Sequence, residues 1–427
     1  MIYIAESSEK NLDPSFISEQ LDIMISRLGR LNRILLLPPD FTRNLSFAGE
    51  ITCMIYEKLK DISYIEIMPA LGTHAPMTAE EIASMYPGIP LKLFRVHNWQ
   101  KDVEKVGTIE PLKTRELTGD LVDWEVDCEI NRKLIYGNWD QVISIGQLMP
   151  HELVGIANYN KNILVGVGGK DVIGKTHITG ALYGQERMMG HVDSPVRNLF
   201  NYMSDNYLKE IPITYVMTVR GEDAEGRPVT RGLFAGNDEE CYRLGAKLCQ
   251  NVNIKLLDKE YNKIIAYLSP DEIKSVWIGN KAICRTRMAI ADGGVLVVLC
   301  PGIRSFGENY VSDSFIRKYG YLEKESLLDV VKRNGDFDNN MASLSHMIIS
   351  SPEGRFKVIH AVSKLNREEL ESVNCNHAIY EEVVKKYDPF SLKEGENIMP
   401  DGEEVYFVSK PTQGLWAERK KFMKYPK

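Results

Sequence analysis

The chain has no CxxC pair, no apolar run approaching about 20 residues, and no block of basic residues. Each absence excludes a class of protein. The seven cysteines (Cys53, Cys128, Cys241, Cys249, Cys284, Cys300 and Cys375) are scattered and odd in number. Without paired spacing they argue against a zinc site or a disulfide framework, and read as free or buried thiols of a reducing compartment. No membrane span is expected. Met1 to Lys10 show no signal-peptide pattern, so a cytoplasmic location is expected. The net charge of -7 and pI of about 5.8 argue against a nucleic-acid or anionic-membrane partner. Repeats and low-complexity tracts are also missing. Histidine is scarce, with 8 in 427 residues.

What is present is an ordinary globular composition, 44% hydrophobic and 26% charged, long enough for two domains. An amphipathic helix is expected over 14–30. Arg33-Ile34-Leu35-Leu36-Leu37 reads as a buried strand stopping at Pro38-Pro39. A helix at 47–60, a strand at 62–68, a capping box at Thr78 to Glu81 and a strand at 91–96 follow. Further β-type stretches lie at 103–109, 121–130, 141–145 and 211–218, with helices at 195–209 and about 238–249. In the second half, strands are expected at 264–268, 295–300 and 404–408. Helices are expected there at 270–290, 310–320, 324–333 and 364–386, and a loop at 387–403. This alternation predicts an α/β fold of two α/β domains with mainly parallel sheets. The expected division is 1–245 and 246–427, with the tail after about 395 returning to the first domain. Ligands of such sheets bind outside the carboxyl ends of the strands, which places the active site in the interdomain cleft.

Three of the eight histidines, with one lysine, stand at strand exits or in Gly-rich segments: His74, His151, Lys161 and His177. Imidazoles hold protons near neutrality or bind soft metals, and a lysine can anchor a cofactor covalently. His74 ends Leu71-Gly72-Thr73-His74 and reads as a general base or as a loop histidine bonded to backbone. His151, after Pro150, reads as a second acid/base or as a helix-start residue. Lys161 reads as a desolvated nucleophile or as a surface lysine. In Asp40-Phe41-Thr42-Arg43, the arginine can fork onto a carboxylate with Asp40 orienting it, or Asp40 simply caps a helix. His97 reads as a locally bonded sheet-edge residue. Arg304, in the Gly-rich loop after 295–300, is a candidate carboxylate clamp or an exposed loop arginine. Gly169 to Thr176 matches the phosphate-loop pattern GxxxxGK[ST] after a strand, which offers a nucleotide-binding protein or small-molecule kinase as an alternative.

Taken in order, these pieces resemble the nickel-dependent lactate racemase family, which uses a nickel-pincer nucleotide (pyridinium-3-thioamide-5-thiocarboxylic acid mononucleotide with nickel). The resemblance rests on Asp40-Phe41-Thr42-Arg43, Gly72-Thr73-His74, His97-Asn98-Trp99, Pro150 to Gly155, Lys161 and His177. In the second half it rests on Thr286 to Gly294 and Pro301 to Glu308. It implies that Lys161 attaches the cofactor and that His177 is the protein ligand to nickel. Asp40 and Thr42 would line the cofactor, while His74 and His151 are the two catalytic bases. Arg43 and Arg304 would bind substrate. The implied reaction is reversible hydride transfer that inverts the carbinol carbon of a 2-hydroxy acid, with cofactor-biosynthesis proteins as loading partners. A non-catalytic relative that binds a hydroxy acid is the other alternative. The chain departs from the family in one place. The usual Ser-Gly-Gly type stretch before the lysine is here Ile156-Ala157-Asn158-Tyr159-Asn160, which suggests a substrate other than lactate.

Overall fold

A computed structural model describes the backbone of Tyr3–Glu6 and all atoms of residues 10–425. The chain forms two compact units, Met1–Thr179 with Gly190–Asn253, and Gly180–Met189 with Ile254–Lys427. The expected division at 245 falls inside the helix Glu239–Asn253, and the chain changes unit where that helix ends. The segment Gly180–Met189 belongs to the second unit, which local sequence pattern does not reveal.

In chain order, the first unit contains β1 (Tyr3–Glu6), β2 (Arg33–Leu37), β3 (Tyr64–Ile67), β4 (Val103–Ile109) and β5 (Val126–Asn131). These are followed by β6 (Gln141–Leu148), β7 (Pro150–His151), β8 (Gly155–Ile156), β9 (Ile213–Glu222) and β10 (Pro228–Gly236). Six strands form one sheet in the order β1-β10-β9-β6-β2-β3. The run from β9 to β3 is parallel, whereas β10 and β1 add antiparallel pairs. Ile34, Leu35, Leu36 and Leu37 are all fully buried, as strands covered on both faces require.

The helix Pro14–Arg27 starts with Asp13 accepting from the Ser15 amide and Pro14 at the first turn. Its Ile17, Leu21 and Met24 recur at helical spacing. They pack with Ile51, Ile55 and Leu59 of Ala48–Leu59 against Ile34, Leu36, Ile65, Ile67, Ile143 and Ile145. Burying each such side chain stabilises by roughly 1.5–3 kcal/mol. Helix Ala79–Met85 has the expected capping box between Thr78 and Glu81. Residues 91–96 do not form the expected strand. Pro90 starts a 3-10 turn at Leu91–Leu93, and Phe94 makes only an isolated bridge to Ile67.

The second unit contains β11 (Ile254–Leu257), β12 (Tyr261–Tyr267), β13 (Ile290–Leu299), β14 (Lys357–Val362) and β15 (Asn376–Ile379). After them come β16 (Gly395–Ile398), β17 (Glu404–Val408) and β18 (Leu415–Glu418). The sheet order is β15-β14-β13-β12-β17-β16, parallel except for β16. The tail strand β18 pairs with β11 of this same unit. Ile265, Val297, Leu299, Val405 and Phe407 form its core.

Three expected elements differ. The 270–290 helix is two short ones, Val276–Gly279 and Lys281–Thr286, because Ser275 caps a new start and β13 already begins at Ile290. The 364–386 helix stops at Ser372, since Asn374 turns to φ 61° and Asn376–Ile379 joins the sheet edge. The 387–403 loop contains β16.

Arg287, only 2% exposed, is held by Gln185 Oε1 at 3.0 Å, Glu353 at 3.0 Å and Glu186 at 3.3 Å. None of the seven cysteines is in a disulfide. Among the described residues, no helix is long and apolar enough to cross a membrane.

Candidate functional site

The carboxyl ends of β2, β3 and β6 carry the candidate residues of the first unit. After β2, Pro39 bridges Ala70 and the Ala70 amide donates to the Pro38 carbonyl at 2.8 Å, so the loops leaving β2 and β3 run side by side. Asp40 caps the turn Phe41–Ser46. Its Oδ1 accepts the Thr42 amide at 3.2 Å and the Thr42 hydroxyl at 2.5 Å. Its Oδ2 lies 2.5 Å from His74 Nδ1. Burial pushes the Asp40 carboxyl up, but His74, Thr42 and the nearby Arg43 charge together outweigh it and hold the group below its usual value. Arg43 is bonded to Thr42, not to Asp40. Its Nη1 donates to the Thr42 carbonyl at 3.2 Å and hydroxyl at 3.1 Å. The expected Asp40–Arg43 orientation is therefore replaced by an Asp40–His74 pair, because the carboxylate's two oxygens are already taken by Thr42 and the imidazole.

Gly72, at φ 57°, donates its amide to the Gly166 carbonyl at 2.8 Å. That bond ties the His74 loop to the segment that carries Lys161. Lys161 lies on the short helix Asn160–Leu164. The same helix is pinned by Asn162, whose Nδ2 donates to the Leu37 carbonyl at 3.2 Å and to Ser144 Oγ at 2.8 Å. One side chain thus ties the lysine's helix to the end of β2 and to the middle of β6.

The stretch before Lys161 explains the departure from glycine. Asn158 has φ 69°, and Tyr159 has φ 61° with ψ -137°, a conformation suited to glycine. The backbone keeps a glycine-like path although both residues carry side chains. Those side chains are turned into the core. The Tyr159 ring, 7% exposed, lies 4.6 Å from the Tyr215 ring and 5.1 Å from the Tyr242 ring. A Cβ on Gly146 would come within 2.0 Å of Asn158 Nδ2, so β6 yields space to Asn158. The buried Arg197 donates to the Asn160 carboxamide and to the Ile156 carbonyl, bracing the segment from below.

His177 is not in a Gly-rich turn but on the helix Lys170–Tyr183. Burial, and then the Lys161 charge, push its imidazole down to about 4, with a hydrogen bond to the Ile173 backbone and then the Glu152 charge only partly offsetting them. It is therefore neutral at neutral pH, the form that binds metal. The helix also corrects the phosphate-loop reading. Gly174, Lys175 and Thr176 lie within it, not in a loop, so their amides are committed to helical bonds. Lys175 is paired with Asp171 at 2.7 Å, and the Thr176 hydroxyl donates to Val172 at 2.6 Å. The helix begins where Glu129 accepts the Asp171 amide at 2.9 Å.

His151 ends the two-residue strand β7, which pairs with β8. Its Nδ1 accepts the Leu153 amide at 3.2 Å and lies 3.8 Å from the Glu152 carboxylate. Glu152 also acts on His177, so it connects the two histidines electrostatically. Sequence reading passed over Glu152, although it adjoins His151. His97 is structural: its Nε2 lies 3.1 Å from the Gly168 carbonyl and its Nδ1 accepts from Asn131 at 3.0 Å. Arg304 belongs to the second unit, in an exposed position, with its amide bonded to the Lys274 carbonyl at 2.8 Å.

Among the described residues, no group of three or more His, Cys, Asp or Glu is placed to hold a metal. The donor set instead offers one neutral imidazole, with the Lys161 amine close enough to depress its proton affinity. That fits a metal brought in by an organic group and completed by a single protein ligand. The nickel-pincer nucleotide is a group of this kind.

Comparison with known proteins gives the same direction. Residues 9–190 match the lactate racemase N-terminal domain. No curated protein matches the chain. A protein from Thermotoga maritima of solved structure is similar over 97% of this chain and 100% of its own, with TM-score 0.82 and 22% identity. The lactate racemase apoprotein from Thermoanaerobacterium thermosaccharolyticum is similar over 91% of this chain and 87% of its own, with TM-score 0.69 and 16% identity. These two likenesses establish a shared fold. Residues 9–190 are thus similar to the lactate racemase N-terminal domain, and the chain as a whole shares the fold of these two structures.

Proposed function

We propose that the protein is a racemase or epimerase that inverts the carbinol carbon of a 2-hydroxy acid other than lactate, using a nickel-pincer nucleotide. The observation that carries this reading is the combination, within one unit, of Lys161 beside a neutral buried His177 and two further histidines each next to a carboxylate. Lys161 would hold the cofactor covalently and His177 would be the protein ligand to its metal. When bound, the cofactor supplies a reversible hydride acceptor for the carbinol carbon.

The chain's own residues do the rest. Asp40 fixes the ring of His74 through Nδ1, so its Nε2 is the atom that takes or returns the hydroxyl proton. His151 serves the opposite face of the same carbon. Arg43, steadied by Thr42, offers a planar fork for the substrate carboxylate. Arg304 is a second candidate clamp.

The test is to load the protein with cofactor, measure bound nickel, and assay a panel of 2-hydroxy acids in heavy water. Inversion with little deuterium at the carbinol carbon is expected. Rapid wash-in of deuterium there refutes hydride return. Tight acid binding without turnover in loaded protein refutes the catalytic reading in favour of a hydroxy-acid-binding relative.

A further inference from the structure

We propose that Glu152 is a positioning residue that converts His151 from an idle tautomer to a working one. This rests on the reading that His74 and His151 both handle the substrate's hydroxyl proton. The two rings are held by chemically opposite partners. His74 Nδ1 faces the Asp40 carboxylate at 2.5 Å. An ionised carboxylate only accepts, so His74 carries its hydrogen on Nδ1 and keeps a lone pair on Nε2. His151 Nδ1 faces the Leu153 amide at 3.2 Å. A backbone amide only donates, so neutral His151 keeps its lone pair on Nδ1 and its hydrogen on Nε2.

In that state His151 cannot accept a proton at Nε2, the nitrogen that mirrors the working atom of His74. Nor can it deliver one there as a neutral ring without becoming an imidazolate. Proton transfer at Nε2 requires Nδ1 to hold a hydrogen. That hydrogen would oppose the Leu153 N–H, and it needs an acceptor. Glu152 Oε2 stands 3.8 Å from the same Nδ1, beyond hydrogen-bond length by about one ångström. The Glu152 side chain is 9% exposed, in a setting where a carboxylate is worth more as a partner than in water.

His151 therefore has two seats. On the Leu153 seat it is neutral and idle. On the Glu152 seat, Nδ1–H points to the carboxylate, and Nε2 can exchange a proton with substrate. His74 has one seat, on Asp40. The pair is asymmetric in rest although a racemase must use both faces. For a true racemisation the equilibrium constant is one, so the asymmetry cannot favour one enantiomer in kcat/KM. It appears in the tautomers and in kcat.

The experiment is nitrogen-15 NMR of the imidazoles in the unloaded protein at neutral pH, with Glu152→Gln and Glu152→Asp alongside. Wild type should show His74 as the Nδ1–H tautomer and His151 mainly as Nε2–H, with exchange broadening from the second seat. Glu152→Gln should sharpen His151 onto Nε2–H, and Glu152→Asp should restore the exchange. A His151 found wholly as Nδ1–H, or one whose signals ignore Glu152→Gln, overturns the proposal. This arm needs neither cofactor nor substrate, so it stands or falls apart from the racemase reading. It also reports His177 separately, on which Glu152 acts too. In loaded protein, Glu152→Gln should lower kcat about 10-fold or more in both directions with KM little changed. An unchanged kcat also overturns it.

Discussion

Replacing Tyr159 by glycine should leave a more stable protein than replacing it by alanine. Both changes remove a ring that is 7% exposed and packed 4.6 Å and 5.1 Å from two other tyrosines. Each should therefore cost about 3–5 kcal/mol, and that cost cancels between them. The difference lies in the backbone. At φ 61° and ψ -137°, alanine retains a conformational penalty of about 1–3 kcal/mol that glycine does not feel. Glycine in turn gives the unfolded chain more freedom, worth roughly 0.5–1 kcal/mol. The balance favours glycine by about 1 kcal/mol, and by up to about 2.5 kcal/mol, the reverse of the order at ordinary positions. Urea unfolding of the two variants, compared at matched protein concentration, reads this directly. An alanine variant as stable as the glycine variant, or more so, refutes the claim that this segment is held in a glycine-type conformation.

Lys175→Ala should change stability by less than about 1 kcal/mol, and the wild-type protein should show no ATP hydrolysis for it to abolish, because Lys175 is bonded along a helix to Asp171; a hydrolysis assay on both proteins decides. Asn162→Ala should cost about 1–3 kcal/mol, since the buried Ser144 and the Leu37 carbonyl lose their shared donor. In loaded protein it should also lower the fraction with covalent cofactor, read by mass spectrometry. His360 is 3% exposed, and burial pushes its imidazole down to about 4. The unfolded chain binds that proton near pH 6.5 and the folded one does not. Stability is therefore full above about 6.5, declines as pH falls towards 4, and loses on the order of 3 kcal/mol from this group. Unfolding midpoints measured between pH 7 and 4 should show a shallower slope in His360→Gln.

The first unit's frame was legible because its signals are local. Arg33-Ile34-Leu35-Leu36-Leu37 followed by two prolines leaves few alternatives to a buried strand, and Thr78 to Glu81 carries its cap within four residues. The residue types of the site were legible for the same reason, as histidines and a lysine in short motifs. Their pairings were not. Asp40 and His74 are 34 residues apart and meet only because β2 and β3 are parallel neighbours. Arg43 stands nearer to Asp40 in sequence, which made it the apparent partner. The helix Lys170–Tyr183 was hidden by its glycines, which normally weaken a helix. Its start is specified by Glu129, 42 residues from Asp171, whose amide it accepts. Residues 364–386 failed similarly: the charge pattern suits a helix, but an open parallel edge at β14 recruits Asn376–Ile379.

The placement of Gly180–Met189 in the second unit has a consequence for anyone who would divide this protein. Neither half is a continuous piece of gene. A fragment starting at Ile254 would carry Arg287 without Gln185 and Glu186, leaving a guanidinium that is 2% exposed with only Glu353 and backbone carbonyls to hold it. A fragment ending at Asn253 would carry ten residues folded for a partner it lacks. Recombination within this architecture therefore has to exchange the whole chain, or transplant a short internal passport along with the second half.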